Sequence, residues 1–156
     1  MKTWREDHLN ALLSIQSENE LFDEIAKMAK DMGFEYCAYG IQMPVPISRS
    51  TVALFNNYPV EWQEHYTEHE YLAVDPTVQH GLKNTLPIVW SHQLFESSPE
   101  LWEEARAHGL HFGWAQSSRD ASGAIGLLTL ARSVEQLSES ELYENKARMA
   151  WLTQYA

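Results

Sequence analysis

At 156 residues, 44% of them hydrophobic, the chain has the apolar material for one sizeable core and too little length for two. Its 11 basic side chains against 22 acidic ones leave a formal charge of −11, which repels a nucleic-acid backbone. No apolar run is long enough to span a bilayer or resembles a signal peptide, so a soluble, cytoplasmic domain that does not bind DNA by itself is expected.

In chain order, a short N-terminal stretch with Leu9, Leu12 and Leu13 reads as a helix. Ser17-Glu18-Asn19-Glu20 is a capping box, and Leu21, Phe22, Ile25, Met28, Ala29 and Met32 follow at helical spacing up to a stop at Gly33. Phe34 to Met43 reads as a central strand covered on both faces, and its lone Cys37 as a packed thiol. Ser50 to Asn56 supplies a second strand. Pro59, in a first helical turn, opens a helix that carries Trp62 and Tyr66 beyond Tyr58. Asp75-Pro76 is an N-cap followed by proline at N1, and Gly81 or Asn84 ends that helix. Leu86 to Trp90 is a short strand, Ser97-Ser98-Pro99-Glu100 begins a helix running to Gly109, and two strands, Phe112 to Ser118 and Ala124 to Ala131, form a hairpin. A second capping box, Ser138-Glu139-Ser140-Glu141, starts the last helix. Segregated strands with helices on either side predict an α+β fold, an α-β-α sandwich on a mostly antiparallel sheet.

Aromatic residues make up 12% of the chain, with 6 Trp and 7 Tyr, a content that fits either a lined cavity or a tryptophan-rich core. His65-Tyr66-Thr67-Glu68-His69 matches H-x-x-E-H, in which two histidines one turn apart hold zinc and the glutamate serves as base. Histidines on a partly exposed helix explain the same five residues without a metal. His108 and His111 at a helix end fit capping of carbonyl groups, and Glu103-Glu104 fits a solvated face. Phosphate-loop, dinucleotide and serine-hydrolase motifs do not occur.

The remaining pattern is Tyr58-Pro59-x-x-Trp62-x-x-x-Tyr66, then Val74-Asp75-Pro76, Pro87-Ile88-Val89-Trp90, Trp102-Glu103-Glu104-Ala105, His108-Gly109-Leu110 and Gly126-Leu127-Leu128-Thr129-Leu130. In this order the segments resemble the autoinducer-binding domain of the LuxR family of quorum-sensing regulators, over nearly the whole chain. The resemblance implies a domain that binds an N-acyl-homoserine lactone, catalyses no reaction and needs no metal or other cofactor. It implies that Trp62 donates to the lactone carbonyl, that Asp75 accepts from the ligand amide N–H, and that Tyr58 and Thr129 meet the amide carbonyl. Thr129 stands where relatives often have serine, which keeps the hydroxyl and adds a methyl group. Tyr66 and Trp90 would wall the lactone ring, and Val78, Phe95, Trp102, Leu110 and Ala115 would line an acyl tunnel. Gln63 departs from the arginine some members carry beside this tryptophan, so the resemblance assigns no contact to an oxo group on the third acyl carbon.

The donor and acceptor types are consistent with that ligand on chemical grounds. An indole only donates and an ionised carboxylate only accepts, so the pair asks for a carbonyl at one point and an N–H at another. By resemblance, residues 1–156 form the sensing half of a homodimeric transcription regulator. Its ligand would aid folding and control a C-terminal helix-turn-helix domain absent from this chain, and the end at Tyr155-Ala156 is expected to mark a truncated regulator. Two other readings stay open: a sensory module of the same architecture that takes a different apolar molecule, and a zinc hydrolase using His65, Glu68 and His69.

Overall fold

The computed structural model describes residues 18–42, 52–119 and 123–155. The helix expected around Leu9, Leu12 and Leu13 and the Ser17 cap lie outside them. The described elements are α1 (Glu18–Asp31), β1 (Tyr36–Gln42), β2 (Val52–Asn56), α2 (Val60–Glu68), a 3₁₀ turn (Tyr71–Ala73), α3 (Pro76–Lys83), β3 (Ile88–Val89), α4 (Pro99–Ala107), β4 (Phe112–Arg119), β5 (Ile125–Arg132) and α5 (Glu139–Tyr155). The strands form one antiparallel sheet in the order β2-β1-β5-β4-β3. This is the α-β-α sandwich that the sequence predicts.

Alternation along the strands divides the apolar residues between two layers. Cys37 and Tyr39 of β1, Trp114 of β4 and Leu128 and Leu130 of β5 point to one face. There they pack with Ile25, Met28, Ala29 and Met32 of α1 and Met149 of α5. Ala131 points to the opposite face, where Trp62, Tyr71, Phe95, Leu101, Ala105 and Leu110 gather from the helical side. The Cys37 thiol is fully buried in the first layer, and burial pushes its pKa up to about 12, which makes it an inert packing group.

Two helix ends use the same device. Phe34 N–H donates to Ala29 O and Gly33 N–H to Lys30 O, with Gly33 at φ +93°; Leu110 N–H donates to Ala105 O and Gly109 N–H to Arg106 O, with Gly109 at φ +90°. Both are Schellman ends, which need the left-handed conformation that glycine adopts without strain. Two local expectations need correction. Pro59 is the N-cap of α2 rather than a residue within its first turn, and β3 is paired over two residues only. β3 is short because Pro87 precedes it, and proline cannot donate to a ladder.

A buried cation at the end of β5, which no motif announces, joins three elements. Arg132, 5% exposed, donates to both carboxylate oxygens of Glu141 at 2.6 Å. It also donates to the carbonyls of Glu135 (2.9 Å) and Gly33 (3.3 Å), and lies 5.1 Å over the Phe34 ring. Arg132 therefore ties β5 to the end of α1 and the start of α5. Glu141 also closes the α5 capping box, because Ser138 Oγ accepts from the Glu141 N–H at 3.1 Å and the Ser138 N–H donates back to the Glu141 carboxylate.

Hydrogen bonding from Arg132 holds the Glu141 carboxyl below its ordinary 4.5. A lowered value in the folded state adds stability above the unfolded pKa, and that stability is lost as the pH falls through the folded value. Glu141→Gln is therefore expected to lower the stability at pH 7 by about 1.5–3 kcal/mol, the range of a charge-assisted hydrogen bond. In thermal melts taken from pH 7 to below pH 4.5, the gap between variant and parent should close at the acid end.

Candidate functional site

On the face of the sheet opposite α1 and α5, the strand residues Ala38, Gly40 and Thr129 are small. Ala38 of β1 stands in register with Asn56 of β2 and Thr129 of β5, and Gly40 with Leu127 in the next row. Their short side chains leave a cavity of about 470 Å³ between the sheet and the helices. α2 forms one wall with Trp62, Gln63, Tyr66 and Thr67, α3 another with Thr77, Val78, Gly81 and Leu82, and Trp90 a further side. Most of the lining is apolar, which suits a ligand with a substantial hydrocarbon part.

Its polar groups include those of Tyr58, Trp62, Tyr66, Asp75 and Thr129, and Asn56, Gln63, Thr67, Thr77 and Gln79 also line it. Asp75 is the N-cap of α3, and its Oδ1 accepts from the Thr77 N–H at 2.9 Å and the Thr77 hydroxyl at 2.7 Å. Its Oδ2 accepts from the Tyr66 hydroxyl at 2.9 Å. Asp75 both caps α3 and lines the cavity, two roles that the sequence allows together. Burial pushes the Asp75 carboxyl above its ordinary 3.8, and the bonds from Thr77, Tyr66 and the Val78 N–H oppose that rise. The sign of the linkage is opposite to that of Glu141: an ionised Asp75 reduces stability at neutral pH, and the penalty fades as the pH falls through its folded value. Burial likewise raises the Tyr58 and Tyr66 phenols, with Asp75 adding to it, so both remain protonated and able to donate.

Trp62 is 3% exposed yet reaches the cavity. Behind it stand Tyr71 and His65, stacked at 5.9 Å each, and His108 at 5.4 Å, while Tyr66 meets it edge-on at 5.8 Å. His65 Nε2 lies 3.2 Å from the Tyr71 hydroxyl, which donates to Glu100 Oε1 at 3.2 Å. The indole is thus fixed by rings on several sides, and its direction is set before any ligand arrives.

The structure brings Tyr58, Trp62, Tyr66, Asp75, Val78, Trp90 and Thr129 together around the cavity and leaves Phe95, Trp102, Leu110 and Ala115 out of its wall. Phe95 is buried, stacked on Trp102 at 4.9 Å and edge-on to Trp90 at 6.0 Å. Trp102 borders a separate hollow of about 270 Å³, which shares Trp90 with the first, and carries the Arg106 guanidinium 5.2 Å above its ring. Leu110 is core, and Ala115 lies in register with Thr129 and Ile88, one strand further along the sheet. One apolar side of the cavity is formed by Leu127 and Ile125 of β5 with Gly81 and Leu82 of α3. From Thr129 to Ile125 is about 13 Å of strand. Strand alternation signals Ala38, Gly40, Ile125 and Leu127 only once β1 and β5 are known to be neighbours, and no local pattern in the sequence states that pairing.

The histidines serve as ring and cap partners. His108 Nδ1–H donates to Glu104 O at 2.8 Å and His111 Nε2–H to Arg106 O at 2.8 Å, both on helix carbonyls. The His65 and His69 rings lie tilted at 35° with centroids 4.0 Å apart, and among the described residues no three of His, Cys, Asp and Glu are placed to hold a metal ion. Nor is any helix of the described residues long and apolar enough to cross a membrane.

A ligand-sized, mostly apolar cavity with a convergent donor and acceptor set, carried on an antiparallel sheet between helical layers, defines a small-molecule sensing domain. The autoinducer binding domain family matches residues 17–156, and the chain belongs to it, as a LuxR-type autoinducer-binding domain and not an enzyme. It is 49% identical to the transcriptional activator protein AnoR of Acinetobacter nosocomialis over 99% of this chain and 66% of the relative. Against the LuxR-family factor CepR2 of Burkholderia cenocepacia, described as dependent on N-acylhomoserine lactone, the TM-score is 0.90 at 29% identity, covering 99% of this chain and 91% of that one. A structure of SdiA in complex with octanoyl-rac-glycerol gives 0.85 at 29% identity, covering 98% and 63%. The chain spans about two thirds of the length of the relatives it matches, 66% of AnoR and 64% of SolR.

Gly113 shows how closely Trp90 is fitted at the cavity side. A Cβ at Gly113 would lie 2.2 Å from ring atoms of Trp90, whose backbone N–H donates to Gly113 O at 2.8 Å. Gly113→Ala is expected to displace the indole and lower stability by about 1–3 kcal/mol, the usual range for overpacking a core. A lower melting temperature with altered tryptophan emission would register it.

Proposed function

We propose that this domain encloses an N-acyl-homoserine lactone and, in the cytoplasm, reports its presence to a DNA-binding domain outside the chain, within a homodimeric quorum-sensing regulator. The reading rests on one observation: the fixed donor Trp62 and the fixed acceptor Asp75 open on the same apolar cavity. Trp62 Nε1–H would meet the lactone carbonyl and Asp75 the amide N–H, while Tyr58 and Thr129 would serve the amide carbonyl. Tyr66 and Trp90 would pack on the ring, and the acyl chain would run past Val78 toward Leu127 and Ile125.

Magnitudes favour this division of labour. Six buried methylenes contribute roughly 5 kcal/mol at about 0.8 each. Three or four head-group hydrogen bonds at about 1 kcal/mol each, more for the charged one, add a comparable amount. After the cost of association the expected affinity lies between micromolar and nanomolar.

A second reading draws on the octanoyl-glycerol that occupies SdiA: the cavity would take an amphiphile without an amide, using the same apolar end. Calorimetric titration with N-octanoyl-homoserine lactone separates the two. Asp75→Asn is expected to weaken binding about ten- to a hundredfold, as loss of a hydrogen bond to a charged group would. The parent's affinity should also fall as the pH drops through the raised Asp75 value, because the ligand N–H needs the ionised form, and the Asp75→Asn variant should show no such dependence. Equal affinities for parent and variant would favour the second reading.

A further inference from the structure

The second hollow, of about 270 Å³, has only Trp90 in common with the larger cavity. Among the described residues its lining holds the guanidinium of Arg106 and the imidazoles of His92 and His111 and no carboxylate, in a chain with 22 acidic side chains against 11 basic ones. It is therefore a place of positive potential on a negative molecule. Arg106 is anchored there without being neutralised. Its Nη1 donates to the His111 carbonyl at 3.5 Å, His111 Nε2–H donates back to the Arg106 carbonyl at 2.8 Å, and among the described residues no carboxylate pairs with the guanidinium. The guanidinium also lies 5.2 Å from the ring centre of Trp102, one turn earlier on α4, and Trp102 stacks on the buried Phe95 at 4.9 Å. A planar fork held in this way keeps free N–H donors in a fixed geometry.

From this arrangement we propose that the second hollow binds a small aromatic carboxylate, with the carboxylate on Arg106. The other polar groups have the same bias toward donation. Ser91 Oγ accepts from the Leu94 N–H at 3.0 Å and keeps its own hydrogen to give, and the Trp90 indole N–H is buried with no acceptor. The remaining walls, among them Phe112 and Leu137, are apolar. A bare inorganic anion would leave those walls uncovered, whereas a ring joined to a carboxylate covers them and meets the guanidinium through both oxygens. The site stands apart from the lactone reading, because Trp62, Asp75 and Thr129 do not line it.

The tryptophans report which hollow fills, since Trp102 lines only the second and Trp62 only the first. The test is a titration of the ¹⁵N-labelled 156-residue chain with phenylacetate, followed by the indole N–H resonances assigned through single Trp→Phe variants. The Trp90 and Trp102 signals are expected to move saturably, with a Kd of about 1 mM or tighter, while the Trp62 signal stays in place. Phenylacetamide, which keeps the shape and lacks the charge, should bind at least about tenfold more weakly. Arg106→Gln, judged folded by an unchanged Trp62 signal, should weaken phenylacetate by a similar factor. No saturable movement of Trp102, movement of Trp62 along with it, or equal binding of phenylacetamide overturns the proposal whether or not the variant folds. Undiminished binding by a folded Arg106→Gln overturns it as well. Inorganic phosphate that binds as tightly as phenylacetate would make the hollow a general anion site and defeat the aromatic assignment.

Discussion

Asp75 sits where three demands meet on one carboxylate. Its Oδ1 holds the first turn of α3 through Thr77, its Oδ2 holds the Tyr66 hydroxyl, and the same group opens on the cavity. Burial raises its pKa, and the bonds from Thr77, Tyr66 and Val78 act against that rise. The bonds thereby favour the carboxylate, which only accepts, over the carboxylic acid, which can donate as well and is less selective for an N–H. The position of α3, and with it the roof formed by Val78, Gly81 and Leu82, depends on the same cap.

The two faces of the sheet divide the work. One face is filled by α1 and α5 around Met28, Leu128, Leu130 and Met149, and the buried Arg132–Glu141 pair joins their ends. The other face leaves space over Ala38 and Gly40 and surrounds it with rings and polar groups held from behind. Such a hollow lacks the dispersion contacts that a filled core gains, so this layer depends on the filled one for stability. A ligand that occupies the hollow restores those contacts and stabilises the folded form by mass action.

Much of this is legible in the sequence because the governing signals are local. Gly33 and Gly109 mark Schellman ends, Asp75-Pro76 marks a helix start, and Ser138 to Glu141 marks another; each depends on a few adjacent residues. The spacing of Tyr58, Trp62 and Tyr66 places polar tips on one side of α2 and its approach. What escapes depends on pairing between distant strands. The apolar side of the cavity over β5 follows from β1 lying beside β5, with Gly40 opposite Leu127, and no local pattern specifies that neighbour. Phe95 and Trp102, which the resemblance assigns to a tunnel, pack on each other outside this cavity's wall. Arg132 escapes for the same reason, since its partners at Gly33 and Glu141 come from separate elements.

The claim at the centre is that the Asp75 carboxylate accepts a hydrogen from the ligand's amide. A single-atom change in the ligand tests it: replace the amide N–H of an acyl lactone by an ester oxygen, keep ring and tail, and measure both dissociation constants with the unmodified domain at neutral pH. The ester sets a lone pair against a buried anion, so it should bind at least about tenfold more weakly than the amide. Equal affinities would mean that Asp75 serves only to cap its helix, and the account of the polar end of the cavity would be wrong.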